Sequence, residues 1–292
     1  MKITLHIIAL LTFVWLSGSR GASSVTPVNA AEQTPASSAG ALEVTYLANE
    51  GFMIAGGGKK VLIDALFGEG LKGYAVISTA QRALLEGARA PFADVDVVCA
   101  THFHGDHFNA EPVLAHLTNN PQAFFFSTPQ AADKLRATGK FDAVKTRVVA
   151  ALPKEGERIH TEHRGIGVQL LNIHHGRTRP IENLGFIIEL AGKRILHIGD
   201  SEAEPAVFQK YEVLKDHIDV AFLPYWYFLD DNFKRAVREQ IQPRHIVVMH
   251  VPPDTAFARL RDGDFQPKWA RIKAEFPNAV YLAQEMDKKS FD

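Results

Sequence analysis

From residue 41 onward, apolar positions recur at the spacing of strands in some stretches and of helices in others. Leu42-Glu43-Val44-Thr45-Tyr46-Leu47 alternates apolar and polar at period two, which predicts a half-buried strand. Gly51 to Ala55 predicts a second strand, Gly56 to Lys60 a turn, and Val61 to Ile63 a third strand closing on Asp64, so the body opens as an antiparallel meander. A helix is expected over 75–88. Val95 to Ala100 is a short apolar run suited to a buried strand, and it leads straight into Thr101-His102-Phe103-His104-Gly105-Asp106-His107. Beyond it the pattern predicts helices at 111–118 and 129–137 and strands at 123–126, 144–149, 168–173, 184–190 and 194–198. A helix at 206–214, a strand at 220–224, a helix at 232–240, a strand at 246–249, a helix at 268–276 and a strand at 280–282 complete the series. Strands and helices interleave through both halves, with no internal repeat and no second linker. One layered α/β domain over 41–292 is the simplest arrangement.

Ahead of residue 41 the pattern changes. Met1-Lys2 is a short positive start, Ile3 to Leu16 is mostly apolar, and Ser17 to Ala22 is small and polar. That is the layout of a secretory signal over 1–22, with cleavage near Ala22 or as late as Ala30. The apolar run is shorter than the roughly 20 residues of a spanning helix, so no stable membrane span is expected. Residues 23–40 are rich in Ser, Ala, Pro and Thr and read as a flexible linker. Export to a bacterial periplasm is the expectation.

Composition narrows the function. At 46% hydrophobic and 22% charged residues the chain is globular rather than disordered or coiled-coil. A formal net charge of -1 offers no basic excess, so a nucleic-acid partner is not expected and a small-molecule substrate is. One Cys stands against 13 His, so no internal disulfide can form, and imidazole is the abundant metal ligand type. Cys99 lies in the middle of an apolar strand and reads as a packing residue. No GxSxG elbow is present, which argues against a serine hydrolase.

His102, His104, Asp106 and His107 put three imidazoles and a carboxylate within six residues, a donor set that suits zinc and other first-row divalent ions. His102 and His104 face one side of an extended backbone, and a sharp turn at Gly105 would bring Asp106 and His107 to a neighbouring point. One ion cannot easily use all four side chains; two adjacent ions can. Further candidates stand where predicted strands end: His174-His175, Asp200 and His250.

These residues resemble the metallo-β-lactamase-fold hydrolases. Thr101 to His107 is similar to that family's T-H-x-H-x-D-H run after a buried strand. Asp64 at the end of VLID, the Gly199-Asp200 pair and His250 in VVMH resemble its other motifs in order. The resemblance implies a four-layer αββα sandwich. It also implies two divalent ions, zinc first, with manganese or iron as alternatives. One ion would be bound by His102, His104 and His175, with His174 as the alternative third imidazole. The other would be bound by Asp106, His107 and His250. Asp200 would bridge the two, and Asp64 would brace the metal loop through hydrogen bonds. Asp106 and Asp200 are the implied catalytic carboxylates.

The implied reaction is attack by a metal-bridging hydroxide on an ester, lactone, amide or phosphodiester. A bridging Asp is a feature of the phosphodiesterase and lactonase branches and is generally missing from the true β-lactamases. Tyr46 to Phe52 and the Gly-Asp pair look most like the group around ascorbate-lactone hydrolases and N-acyl-phospholipid phosphodiesterases. Arg177 and Arg179 are candidates to receive an anionic group, Tyr225 and Trp226 to line an apolar cleft, and residues 67–77 to form a flap. Two competing functions belong to the same residues: an iron-dependent redox enzyme of this fold, and a non-catalytic metal- or ligand-binding module.

Overall fold

The first strand, β1 at Leu42–Ala48, is covered on both faces rather than one. Val44 and Tyr46 point into one apolar cluster while Leu47 and Ala48 belong to another, and Thr45 is fully buried. The structure, a computed structural model, describes residues 40–253 and 265–292. The signal-like segment 1–22 and the linker up to residue 39 lie outside the described residues.

Two seven-stranded sheets carry the fold. In the first, β2 (Gly51–Gly56) and β3 (Lys59–Ile63) form the antiparallel meander with β1, and β4 (Val97–Cys99), β5 (Phe124–Ser127) and β6 (Val148–Ala150) add in parallel. The second runs antiparallel through β7 (Arg158–His163), β8 (Ile166–Asn172), β9 (Leu184–Leu190) and β10 (Lys193–His197). It then continues in parallel through β11 (Val220–Pro224), β12 (His245–Met249) and β13 (Ala279–Tyr281). A last strand, β14 at Lys288–Phe291, returns to the first sheet beside β1.

Period-two alternation assigns the layers. Phe52, Ile54, Val61, Ile63, Val97, Cys99 and Phe126 join the core between the sheets; Met53, Leu62, Val98 and Phe125 join the other cluster. That outer cluster includes Leu85 of α1 (Thr79–Glu86), Val113 and Leu117 of α2 (Ala110–Asn119), and Leu135 of α3 (Pro129–Arg136). Against the second sheet pack α4 (Pro205–Lys210) through Phe208, α5 (Asp231–Arg235) through Phe233, and α6 (Phe265–Glu275) through Ile272. Helix, sheet, sheet, helix is the four-layer order expected. No helix of the described residues is long and apolar enough to cross a membrane.

Several expected elements shift for local reasons. The helix expected over 75–88 starts only at Thr79, because the Ser78 hydroxyl accepts from Gln81 N and caps it there. The strand expected over 144–149 begins at Val148, after a 3-10 turn at Lys145–Arg147. The helix expected over 206–214 stops at Lys210; Glu212 adopts φ 51° and a 3-10 turn follows at Val213–Asp216. The apolar pattern does not predict strands β7 and β14. Both lie at sheet edges, and Arg158–His163 and Lys288–Phe291 are largely polar, so backbone pairing and not side-chain alternation defines them.

Phe222 of β11 joins the sheets at mid-sandwich, fully buried, with its ring 4.7 Å from Phe52 and 5.6 Å from His197. Phe222→Ala is expected to destabilise the protein by about 3–5 kcal/mol and to lower the Tm by roughly 6–20 °C. A thermal melt showing a loss of no more than roughly 1 °C would contradict this packing.

Candidate metal centre

Strands that run in one direction end at the same edge of a sheet: β3 and β4 in the first sheet, and β8, β10 and β12 in the second. The loops leaving them carry Asp64, residues 101–107, His174-His175, Gly199-Asp200 and His250. The β1–β2 turn adds Asn49 and Glu50 from the first sheet. Asn49, Asp64 and His250 take φ of 49°, 47° and 56°, a left-handed conformation that concentrates at working sites.

Close approach fixes the Gly199 position. It sits at φ 56°, and a Cβ there would lie 2.5 Å from Asn183 Oδ1 and 2.7 Å from Thr101. Asn183 ties the two downstream loops together by donating to the carbonyls of Ile173 (2.7 Å) and Ile198 (3.0 Å). The metal loop turns sharply at Gly105–His107, as expected, although Gly105 is not among the glycines of positive φ. His107 N and Phe108 N both donate to His104 O, at 3.1 and 2.9 Å, and make the turn.

Two sets of ligand atoms result. The rings of His102, His104 and His175 form a near-equilateral triangle, with centroids 4.6, 4.9 and 4.9 Å apart. Asp200 Oδ2 faces this set, 3.3 Å from His175 Nε2 and 3.8 Å from His102 Nε2. Asp200 Oδ1 faces the other, 3.1 Å from His250 Nε2 and 3.4 Å from His107 Nε2. Asp106 Oδ2 completes it, 3.6 Å from His107 Nε2 and 3.7 Å from His250 Nε2. Ligand atoms about 2.1 Å from one tetrahedral ion lie about 3.4 Å apart, which is the spacing seen in both sets.

Three of these donor atoms also lack partners: His107 Nε2, His175 Nε2 and Asp200 Oδ1 are buried and make no hydrogen bond. Asp106 Oδ2 accepts from Asn49 Nδ2 at 3.1 Å, and His102 Nε2 and His104 Nδ1 lie 2.9 Å apart. Unpaired polar atoms in such number are costly in an interior and fit cations placed between them.

Neighbouring hydrogen bonds orient the rings. Asp64 accepts from Thr101 N at 2.7 Å, from Thr101 Oγ1 at 2.6 Å and from His107 Nδ1 at 2.9 Å. Thr101 Oγ1 has spent its proton on Asp64, so it accepts from His102 Nδ1 at 3.0 Å. Both imidazoles therefore turn Nε2 toward the cluster, as ligation requires.

The electrostatics follow from burial and crowding. Burial, then the neighbouring imidazole of His107, holds His102 well below the usual histidine range, and burial does the same more mildly for His104. Burial also disfavours charge on His107, but Asp200, Asp106 and Asp64 outweigh it and push its pKa well up. Burial works against Asp200 and Asp106 as anions, yet His250 and His107 hold Asp200 well below the carboxylate range, and His107 lowers Asp106. Glu50 is pushed well up, by burial first and then by Asp200.

His174 turns elsewhere. Its Nδ1 accepts from Gly176 N at 3.2 Å and its Nε2 lies 3.5 Å from Glu204. Arg177 lies 3.5 Å from Glu204 and 3.9 Å from Glu155, so protein carboxylates neighbour it; Arg179 is exposed. Trp226 donates Nε1 to Ser201 O at 3.0 Å and stands edge-on to His250, with ring centroids 5.1 Å apart. Tyr225 packs edge-on to Trp226 and to Phe265. Tyr74, from the segment expected to form a flap, lies 4.7 Å from the His250 ring, and Leu71 of that segment approaches Gly105.

Sequence reasoning singled out neither Tyr74 nor Glu50. For Glu50 a signal existed: an acid in the tight turn between two strongly apolar strands. Other histidines serve the fold. His116 Nδ1 donates to Leu85 O at 2.7 Å, and His197 Nε2 donates to Glu50 O at 3.2 Å while burial lowers its pKa to about 4.

Two mixed sheets packed face to face between helices, with a histidine and carboxylate cluster at one edge, constitute the metallo-β-lactamase fold. The chain belongs to the β-lactamase superfamily: residues 59–266 match the family described as Beta-lactamase superfamily domain. Its relatives include a UPF0173 metal-dependent hydrolase of Pyrococcus furiosus, 27% identical in an alignment of 221 positions that covers 72% of this chain and 84% of that one. A UPF0173 metal-dependent hydrolase of Cupriavidus necator is 28% identical in an alignment of 268 positions that covers 84% of this chain and 86% of its own. Among solved structures, a possible metal-dependent hydrolase from Veillonella parvula superposes with a TM-score of 0.60 at 16% identity, over 85% of this chain and 98% of that one. A diiron β-hydroxylase from Streptomyces venezuelae gives 0.55 at 15% identity, over 86% of this chain and 54% of its own, so the fold hosts more than one chemistry.

Asp64→Asn puts an amide where three donors converge and frees the His107 ring. Metal affinity is expected to fall about 10–100-fold, read by competition with a chromogenic chelator. Unchanged affinity would show that Asp64 does not set the His107 geometry.

Proposed function

We propose that the protein is an exported, dinuclear metal-dependent hydrolase acting on an ester, lactone, amide or phosphodiester. The observation that carries this reading is the division of the Asp200 carboxylate, one oxygen toward His102 and His175 and the other toward His107 and His250. A carboxylate so placed could hold two cations, one on each oxygen. Two divalent ions held there supply a hydroxide nucleophile near neutral pH and a Lewis acid for the developing oxyanion.

The chain's own residues do the rest. His102, His104 and His175 offer one imidazole-rich site; Asp106, His107 and His250 offer the other, and Asp64 and Thr101 hold the rings in the ligating tautomer. Zinc suits the imidazole-rich site, with manganese or iron as alternatives. Tyr74 and Trp226 flank His250 and offer apolar walls for the substrate's non-reacting part. Export is supported by the signal-like layout of residues 1–22, and amino-terminal sequencing of the mature protein is expected to start just after Ala22 or Ala30.

The pure protein is expected to hold close to two ions per chain by elemental analysis. His102→Ala is expected to lose one ion and at least about 100-fold of hydrolytic activity across lactone, phosphodiester, β-lactam and thioester substrates. Retained hydrolysis in that variant would sink the reading. Chelation is expected to lower the Tm, since ions at 1,000 times their Kd contribute about 4 kcal/mol. Two bound irons with turnover only in the presence of oxygen would instead favour the redox reading, and activity on no substrate the binding module.

A further inference from the structure

Glu50 stands in the turn between β1 and β2. It is fully buried, and neither of its carboxylate oxygens accepts a hydrogen bond. An acid in an interior without donors is costly, and folds keep one only where something compensates it. The nearest donors are already committed. His107 Nδ1 lies 3.6 Å from Glu50 Oε2, but its proton goes to Asp64 at 2.9 Å. His197 spends both nitrogens on backbone, donating from Nε2 to Glu50 O at 3.2 Å and accepting at Nδ1 from Gly199 N at 3.3 Å.

Glu50 has other neighbours on the side of the metal centre. One of its oxygens, one of Asp200 and a nitrogen of His250 all lie within 4.8 Å of one another. Two carboxylates so close in an interior repel each other unless a proton or a cation is shared between them, and the His250 nitrogen beside them fits a cation. We propose that Glu50 is a further oxygen ligand of the ion held by Asp106, His107, Asp200 and His250. The inference rests on the dinuclear reading.

The consequence is an asymmetric centre. One ion meets three imidazoles and a single carboxylate, Asp200. The other meets two imidazoles and the carboxylates Asp106, Asp200 and Glu50. Imidazole-rich sites suit zinc, whereas carboxylate-rich sites with higher coordination suit manganese and ferrous iron. The two sites therefore differ in metal preference, and a mixed pair of ions is the expected resting content when both metals are supplied.

The test is stepwise metal binding to the metal-free full chain, with Zn2+, Mn2+ and Co2+ as the probes. Glu50→Gln keeps size and removes charge; it is expected to leave one binding step unchanged and to weaken the other at least about 10-fold, more for Mn2+ than for Zn2+. In the Co2+-loaded protein the visible absorption of the weakened site should intensify as its coordination number drops. Stepwise affinities and Co2+ spectrum identical to the parent protein, in a variant with native circular dichroism, would overturn the assignment. If Glu50→Gln does not fold, Glu50→Asp keeps the charge but shortens the reach. It is expected to show the same selective weakening, and parent-like affinity in it would overturn the proposal equally. A parent protein that binds a single ion per chain would defeat the dinuclear reading and this one together. Two ions indifferent to position 50 would defeat only the role of Glu50.

Discussion

Four buried carboxylates, Glu50, Asp64, Asp106 and Asp200, crowd one edge of the sandwich, and Glu50 has an oxygen within 4.8 Å of Asp200 and of Asp64. Like charges at that separation, away from water, cannot all persist unless something of opposite sign is placed among them. Asp64 finds its compensation in three protein donors. Asp106 and Asp200 meet it partly in imidazoles, and each still has an oxygen with no partner. The two-sheet scaffold holds this repulsive set together, and a bound metal fits the charge that it leaves uncompensated. A strained backbone at Asn49, Asp64 and His250 belongs to the same constraint, since each holds a polar side chain where the sheet alone would not put it.

The fold meets the constraint by making strand ends coincide. β3 and β4 run parallel, and so do β10, β11 and β12, so successive loops open at one edge. Asn183 and Asp64 then act as braces: Asn183 joins the loops after β8 and β10, and Asp64 joins the end of β3 to the metal loop. Each brace is a buried side chain with most of its hydrogen bonds satisfied by backbone or ring nitrogens, which makes the geometry stiff before any ion arrives.

Much of this was legible in the chain itself. The apolar runs of β9 and β11 were read at their observed ends, because a fully buried strand advertises itself by its residues. The run from His102 to His107 announces its chemistry through residue type and spacing alone, and His250 and Asp200 stand where strands visibly end. The legibility failed where pairing replaced patterning. β7 and β14 are edge strands with polar faces, and their assignment comes from hydrogen bonds to β8 and β1. It failed also where a local cap intervened, as at Ser78 and Glu212.

The donor inventory and the layered alternation of strands and helices are written in the chain, since both depend on residue type and near spacing. Which donors meet depends on the packing of the two sheets. His174 and His175 are adjacent in the chain, yet one lies against Glu204 and the other against Asp200. Glu50 is an ordinary turn residue in the sequence; only the packing of the first sheet's edge against the second brings it beside residues 150 to 200 positions away. Distances of that kind are set by sheet order and loop closure, which no local pattern encodes.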